Sequence, residues 1–95
     1  MNNKIYEYDE KITAAEQKGG AFVKFPYDIR EEFGKGRVKV KATFDQIDYE
    51  GSVVNMGIKN DDGTICYIIG IRKDIREKLG KAIGETVRVT IQERE

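Results

Sequence analysis

The sequence predicts a mainly β domain: a small closed or double-split β-barrel of about six to seven strands with two short helices, built as two halves related by an internal pseudo-twofold duplication. Three observations carry this expectation. Val38, Val40, Ala42 and Phe44 alternate with Arg37, Lys39, Lys41 and Thr43, the period of two expected of a strand with one buried and one solvated face. Two eight-residue segments, Asp28 to Lys35 and Asp74 to Lys81, lie 46 residues apart and are identical at six positions. Each carries an apolar residue followed by glycine, Phe33-Gly34 and Leu79-Gly80, the pattern of a short helix stopped by a left-handed residue.

Taken in chain order, Tyr6, Tyr8 and Ile12 share one parity and predict a first strand that is interrupted by charge at Glu10 and ends near Ala14. Glu16 to Gly20 is polar and closes on two glycines, a loop signal, and Ala21 to Phe25 reads as a second strand stopped by Pro26. Proline suits the first turn of a helix, where no N–H is needed, so Pro26 to Phe33 is expected to be helical, with Ile29 and Phe33 on one face. The alternating strand through Phe44 follows, then a turn over Asp45 to Asp48 and a strand from Tyr49 to about Ile58. Asn60 to Gly63 supplies a hairpin turn of the Asp-Gly kind. Thr64 to Ile71 is apolar at nearly every position, which predicts a strand buried on both faces or central in the sheet.

The second helix, Asp74 to Leu79, opens the repeated half. Val87, Val89 and Ile91 answer Val38, Val40 and Ala42 at an offset of 49, so the second copy carries three extra residues around Ile83 and Gly84. The match includes charged positions that amphipathicity does not dictate, which favours duplication over chance. Residues 21–44 and 65–91 are expected to superpose, with Ile29 over Ile75 and Gly34 over Gly80. The predicted core is Val38, Val40, Phe44, Val53, Ile68, Val87, Val89 and Ile91.

Composition narrows the function. A chain of 95 residues is one domain with one core, residues 1–95, with little room for a deep site. Lys plus Arg and Asp plus Glu each number 17, so the overall attraction to phosphate seen in nucleic-acid binders is absent. Cys66 stands alone in an apolar run and reads as a buried, reduced thiol, which places the expected location in the cytoplasm. No signal peptide or membrane segment is expected, because the longest apolar run, Ile65 to Ile69, is far short of the roughly 20 residues a membrane helix needs.

Catalytic constellations are missing from the pattern. There is no histidine, which removes the commonest general base and metal ligand and every Ser-His or Cys-His nucleophile arrangement. Asp61-Asp62-Gly63 lacks the ligand spacing and terminal Glu of a calcium loop and reads as a hairpin turn. Gly34-Lys35-Gly36 follows a helix, whereas a phosphate loop precedes one. No catalytic, cofactor or metal site is therefore assigned, and no enzyme is expected.

One surface feature stands out. Lys35, Arg37, Lys39 and Lys41 fall at alternate positions, so on a strand they would form a basic stripe about 20 Å long at roughly 3.3 Å per residue. The favoured reading is solubility and protection against edge pairing, since the matching strand of the second half offers only Arg88 at this parity. Contact with nucleic acid or another anionic partner is the second reading.

Ala21-Phe-Val-Lys-Phe-Pro26, Arg37-Val-Lys-Val-Lys-Ala-Thr43, the turn Asp62-Gly63 and Gly84-Glu-Thr-Val-Arg-Val89 together resemble the family filed as domain of unknown function number nineteen hundred and five. The resemblance runs from Tyr8 to Gln92. Its departures are Phe22, where the family often has Trp, and Glu85, where it often has Asp. The segment Ile71 to Ile91 is similar to the half-barrel motif of AbrB-like transcription factors and MazE-type antitoxins, which form their barrel from two chains. The resemblance implies a compact single-chain barrel with no established activity; some relatives carry a second domain resembling bacteriocin-protection proteins of the YdeI type. A non-enzymatic binding or accessory module is thus expected, its partner unknown, with a homo-oligomer or a fused partner domain compatible with the family. The alternative is an AbrB-like DNA-binding regulator acting through the basic strand face.

Overall fold

A computed structural model describes residues 4–15 and 20–94. Seven strands and two helices follow one another as β1 (Ile5–Lys11), β2 (Thr13–Ala14), β3 (Ala21–Phe25), α1 (Ile29–Phe33), β4 (Val38–Phe44), β5 (Ile47–Lys59), β6 (Ile65–Gly70), α2 (Lys73–Leu79) and β7 (Thr86–Glu93). They form one antiparallel half-barrel sheet in the order β1-β7-β4-β5-β6-β3-β2. β1 and β2 stand at opposite ends of this order yet are separated in sequence by Ile12 alone. The predicted loop lies, at 16–19, outside the described residues.

The first strand breaks at Ile12 and not at Glu10, for a reason that no local pattern encodes. The Ile12 N–H donates to the Glu85 carbonyl at 3.0 Å and its carbonyl accepts from the Gly84 N–H at 2.8 Å, so the loop before β7 takes up both groups. The first helix also starts later than expected. Asp28 caps it, its carboxylate accepting from the Arg30 N–H at 2.8 Å, which places Pro26 at the end of β3 and outside the first helical turn. The turn after β4 is tighter than expected: Asp45 and Gln46 both have positive φ, 48° and 74°, and β5 starts at Ile47.

The ladders have a regular register. In β3–β6 the pairs run from Phe22–Gly70 to Phe25–Tyr67, and among them Val23 faces Ile69, 46 residues further on. In β4–β7, Ala42 faces Ile91 and is flanked by Val40–Glu93 and Phe44–Val89, with a central separation of 49. These are the two offsets of the sequence repeat. Ile29 of α1 and Ile75 of α2 both point into the core.

Both helices end on glycine in the left-handed region, Gly34 at φ 69° and Gly80 at φ 66°. Each cap N–H returns to the helix, Gly34 to the Arg30 carbonyl and Gly80 to those of Arg76 and Glu77. A Cβ at either position would meet nothing within 4 Å, so the cost of alanine is backbone strain alone. Gly34→Ala and Gly80→Ala are each expected to destabilise the domain by about 1 kcal/mol in chemical denaturation. An unchanged midpoint would show that these caps do not set the helix ends.

The core fills the concave side with Val38, Val40, Ala42 and Phe44 of β4, Val53 of β5, Tyr67 and Ile69 of β6, and Val87, Val89 and Ile91 of β7. β6 is buried on both faces, as its apolar run predicts. Ile68, expected in the main core, belongs instead to a smaller cluster with Phe22 and Cys66. Strand alternation requires this: with Tyr67 and Ile69 turned inward, Cys66 and Ile68 must face outward.

Candidate functional site

The basic stripe is not continuous in three dimensions. β4 begins at Val38, so Lys35 and Arg37 lie in the bend that precedes it and only Lys39 and Lys41 stand on the strand. Lys35 Nζ reaches Glu93 Oε2 at 2.5 Å, and that carboxylate side chain is only 2% exposed. Lys41 faces Glu50 on β5 and Gln92 on β7, while Lys39 faces Ser52. The outer face around the stripe is therefore of mixed charge.

A different region gathers more chemistry. β3 stops at Phe25, because Pro26 has no N–H to continue a ladder, while β6 extends past Tyr67, its last residue paired to β3, through Cys66 and Ile65. The turn over 60–64 and the start of α1 wall the space left, making a cleft of about 670 Å³. Gly63 at φ 87° and the Asp62 carboxylate, which accepts from the Thr64 N–H at 3.0 Å and hydroxyl at 2.6 Å, shape the turn. Those bonds, the hydroxyl's first, hold the Asp62 pKa below its ordinary value. Asp28 is likewise engaged at the helix cap.

The cations of the cleft are in another position. Lys24 and Arg30 line it and have no side-chain partner among the described residues. Tyr27 and Ile65, 43% and 39% exposed, add apolar surface. At the start of α2, Arg72 hydrogen-bonds Asp74 at 3.2 and 3.1 Å and lies 5.4 Å from the Tyr49 ring centroid.

The cleft also meets the seam where β1 and β3 lie near each other without a ladder. Glu10 lines the cleft from β1 and shares the parity of Tyr6 and Tyr8. In register it faces the fully buried Val87 of β7. Behind it, Tyr8 packs with ring centroids 6.1 Å from Phe25 and 6.4 Å from Tyr27. The Tyr8 hydroxyl is buried with no hydrogen-bond partner among the described residues. Burial first, then the charge of Glu10, pushes its pKa well up.

Cys66 borders the cleft, but its thiol is buried, and desolvation pushes its pKa up against the opposing pull of Lys24. It is expected to react slowly with an aromatic disulfide reagent at pH 8 until the domain is unfolded. Labelling as fast as that of a free thiol would contradict the burial.

The sequence reading gave no site role to Tyr8, Glu10, Lys24, Tyr27 or Arg30. The one signal for them was Glu10 itself, a charge within an otherwise alternating strand.

Fold and site together define a small antiparallel half-barrel domain with two glycine-capped helices and an open cleft of mixed charge beside α1. The chain belongs to the family described as Domain of unknown function (DUF1905), whose model matches residues 8–91. No curated protein matches the sequence.

Proposed function

We propose that the domain is a non-enzymatic binding or accessory module whose recognition surface is the cleft beside α1. The observation that carries this reading is the cleft itself, where Lys24 and Arg30, with no side-chain partner among the described residues, stand on one lining with the exposed Tyr27 and Ile65. In the same reading the sheet closes through Ile12 into a barrel that arose by duplication. Residues one repeat offset apart face each other in two ladders, Val23 with Ile69 at 46 and Ala42 with Ile91 at 49, which supports that origin. Cys66, buried and unbridged, suits work in the reducing cytoplasm.

A fragment screen followed by ¹⁵N chemical-shift mapping tests the proposal. Shifts are expected to cluster on 24–30 and 60–67. A screen with no binders, or shifts gathered on β4, would overturn it. The second reading, a DNA-binding regulator of the AbrB kind, rests on the exposure of Lys39 and Lys41 on β4. It requires a duplex-DNA gel shift that weakens steeply with salt.

A further inference from the structure

We propose that the free edge of β1 takes an extended segment of another protein as an added strand, one with a cation opposite Glu7 and an anion opposite Lys11. The inference goes beyond the cleft, because its support is the backbone of β1. Arg88 turns its carbonyl to the Asp45 N–H and its own N–H to the Asp45 carboxylate, both on the β4 side. In an antiparallel strand the N–H and carbonyl of one residue point to the same side, and the side alternates along the chain. Val87, Val89 and Ile91 therefore turn theirs to β1, where they meet Glu10, Tyr8 and Tyr6. The backbone groups of Ile5, Glu7, Asp9 and Lys11 point the other way, along an edge of 7 residues. β3 comes near β1 there but forms no ladder with it. Among the described residues these edge groups have one hydrogen-bond contact, a 3.4 Å approach of the Lys11 N–H to the Glu10 carboxylate.

The side chains specify the kind of segment. Tyr6 and Tyr8 face the core, so Ile5, Glu7, Asp9 and Lys11 stand in a row on the outer face, all of them exposed. On the occupied side they face Gln92, Thr90, Arg88 and Thr86. Asp9 is answered there by an ion pair with Arg88 at 3.1 Å. Glu7 and Lys11 have no side-chain partner among the described residues, and Ile5 is 61% exposed. Residues directly opposite across a ladder interact most, so the matching antiparallel segment sets an anion against Lys11, a cation against Glu7 and an aliphatic side chain against Ile5. A second copy of β1 does not meet this pattern: every antiparallel register that engages most of the strand sets Glu7 or Asp9 against an acid of the other copy. The charges that bar self-pairing thus select the partner. In strand addition of this kind the main-chain bonds supply affinity and the alternating side chains supply choice.

Titrating the ¹⁵N-labelled full chain with the capped heptapeptide Glu-Ser-Thr-Ser-Lys-Ser-Val tests the proposal. Run antiparallel, its first residue lies opposite Lys11, its fifth opposite Glu7 and its last opposite Ile5. Amide shifts are expected along 5–11, with slowed solvent exchange at Glu7, Asp9 and Lys11. The charge-swapped peptide, Lys-Ser-Thr-Ser-Glu-Ser-Val, should bind roughly two- to fivefold more weakly. A form N-methylated at its third and fifth residues should not bind, since those N–H groups aim at the β1 carbonyls. Glu7→Lys combined with Lys11→Glu, both at exposed positions, should reverse the preference between the two peptides. No shift at millimolar peptide, equal binding of the two peptides, or binding of the N-methylated form would overturn the proposal. So would shifts along β1 that grow with protein concentration alone, which would make a second copy the occupant. Fragment binding at 24–30 and 60–67 is read on other residues, so the cleft stands or falls separately.

Discussion

Phe44→Ala is expected to destabilise the domain by about 3–5 kcal/mol, the range for emptying an aromatic site in a packed core. Phe44 is fully buried at the end of β4, facing Ile47 on one side and Val89 on the other, with its ring centroid 5.8 Å from that of Tyr49. It joins three strands, so neighbours cannot collapse into the space without disturbing two ladders. A small domain has only about 5–15 kcal/mol of net stability, and the alanine variant should be close to unfolded at moderate urea. Phe44→Leu keeps most of the volume and should lose far less, about 1 kcal/mol. Equal urea midpoints for wild type and the alanine variant would show that this corner is not packed as described.

The second large effect should come from the next residue, where Asp45→Ala is expected to cost about 2 kcal/mol, combining left-handed strain with lost hydrogen bonding. Asp45 has φ 48°, its N–H donates to the Arg88 carbonyl at 2.9 Å, and its carboxylate accepts from the Arg88 N–H at 2.9 Å. Lys81 Nζ forms an ion pair with the other carboxylate oxygen. Lys81 first, then the Arg88 N–H, holds the Asp45 pKa below its ordinary 3.8. A depressed folded pKa means that the contribution is present above about pH 3.8 and fades as the pH falls through the lower folded value. Both groups remain partly exposed, so solvent screens the ion pair and the backbone terms carry most of the effect. Asp45→Asn tolerates the left-handed region and can still accept from Arg88, so it should lose less and should no longer show that acid dependence. Urea denaturation at pH 7 and pH 3 separates these outcomes. An alanine variant as stable as wild type at pH 7 would refute the account.

What was legible in the sequence was local. The alternation of β4, the glycine stops after Phe33 and Leu79, and the Asn60 to Gly63 turn each depend on neighbouring residues, and all appear where expected. The break at Ile12 depends on carbonyl and amide groups of Gly84 and Glu85, far along the chain. Lys35 looked like one of four free cations because Glu93, its partner, lies 58 residues away. The cleft was hidden for the same reason: Glu10, Lys24 and the turn before Ile65 come together only through strand order. Pro26 misled by a genuine local preference, which the stronger cap at Asp28 overrode three residues into the expected helix.

The placement of β7 between β1 and β4 has a consequence for synthesis. A ribosome finishes β4 at Phe44 and does not reach Thr86 until some forty residues later, a delay on the order of seconds at about 5–20 residues per second. Throughout that interval the nascent chain holds an unpaired strand edge whose apolar side, Val38 to Phe44, has no β7 to cover it. Such a segment can pair with the same segment of a neighbouring chain on a polysome. Lys39 and Lys41, alternating along that strand, would bring like charges together in such pairing and keep the emerging chain from joining its neighbours.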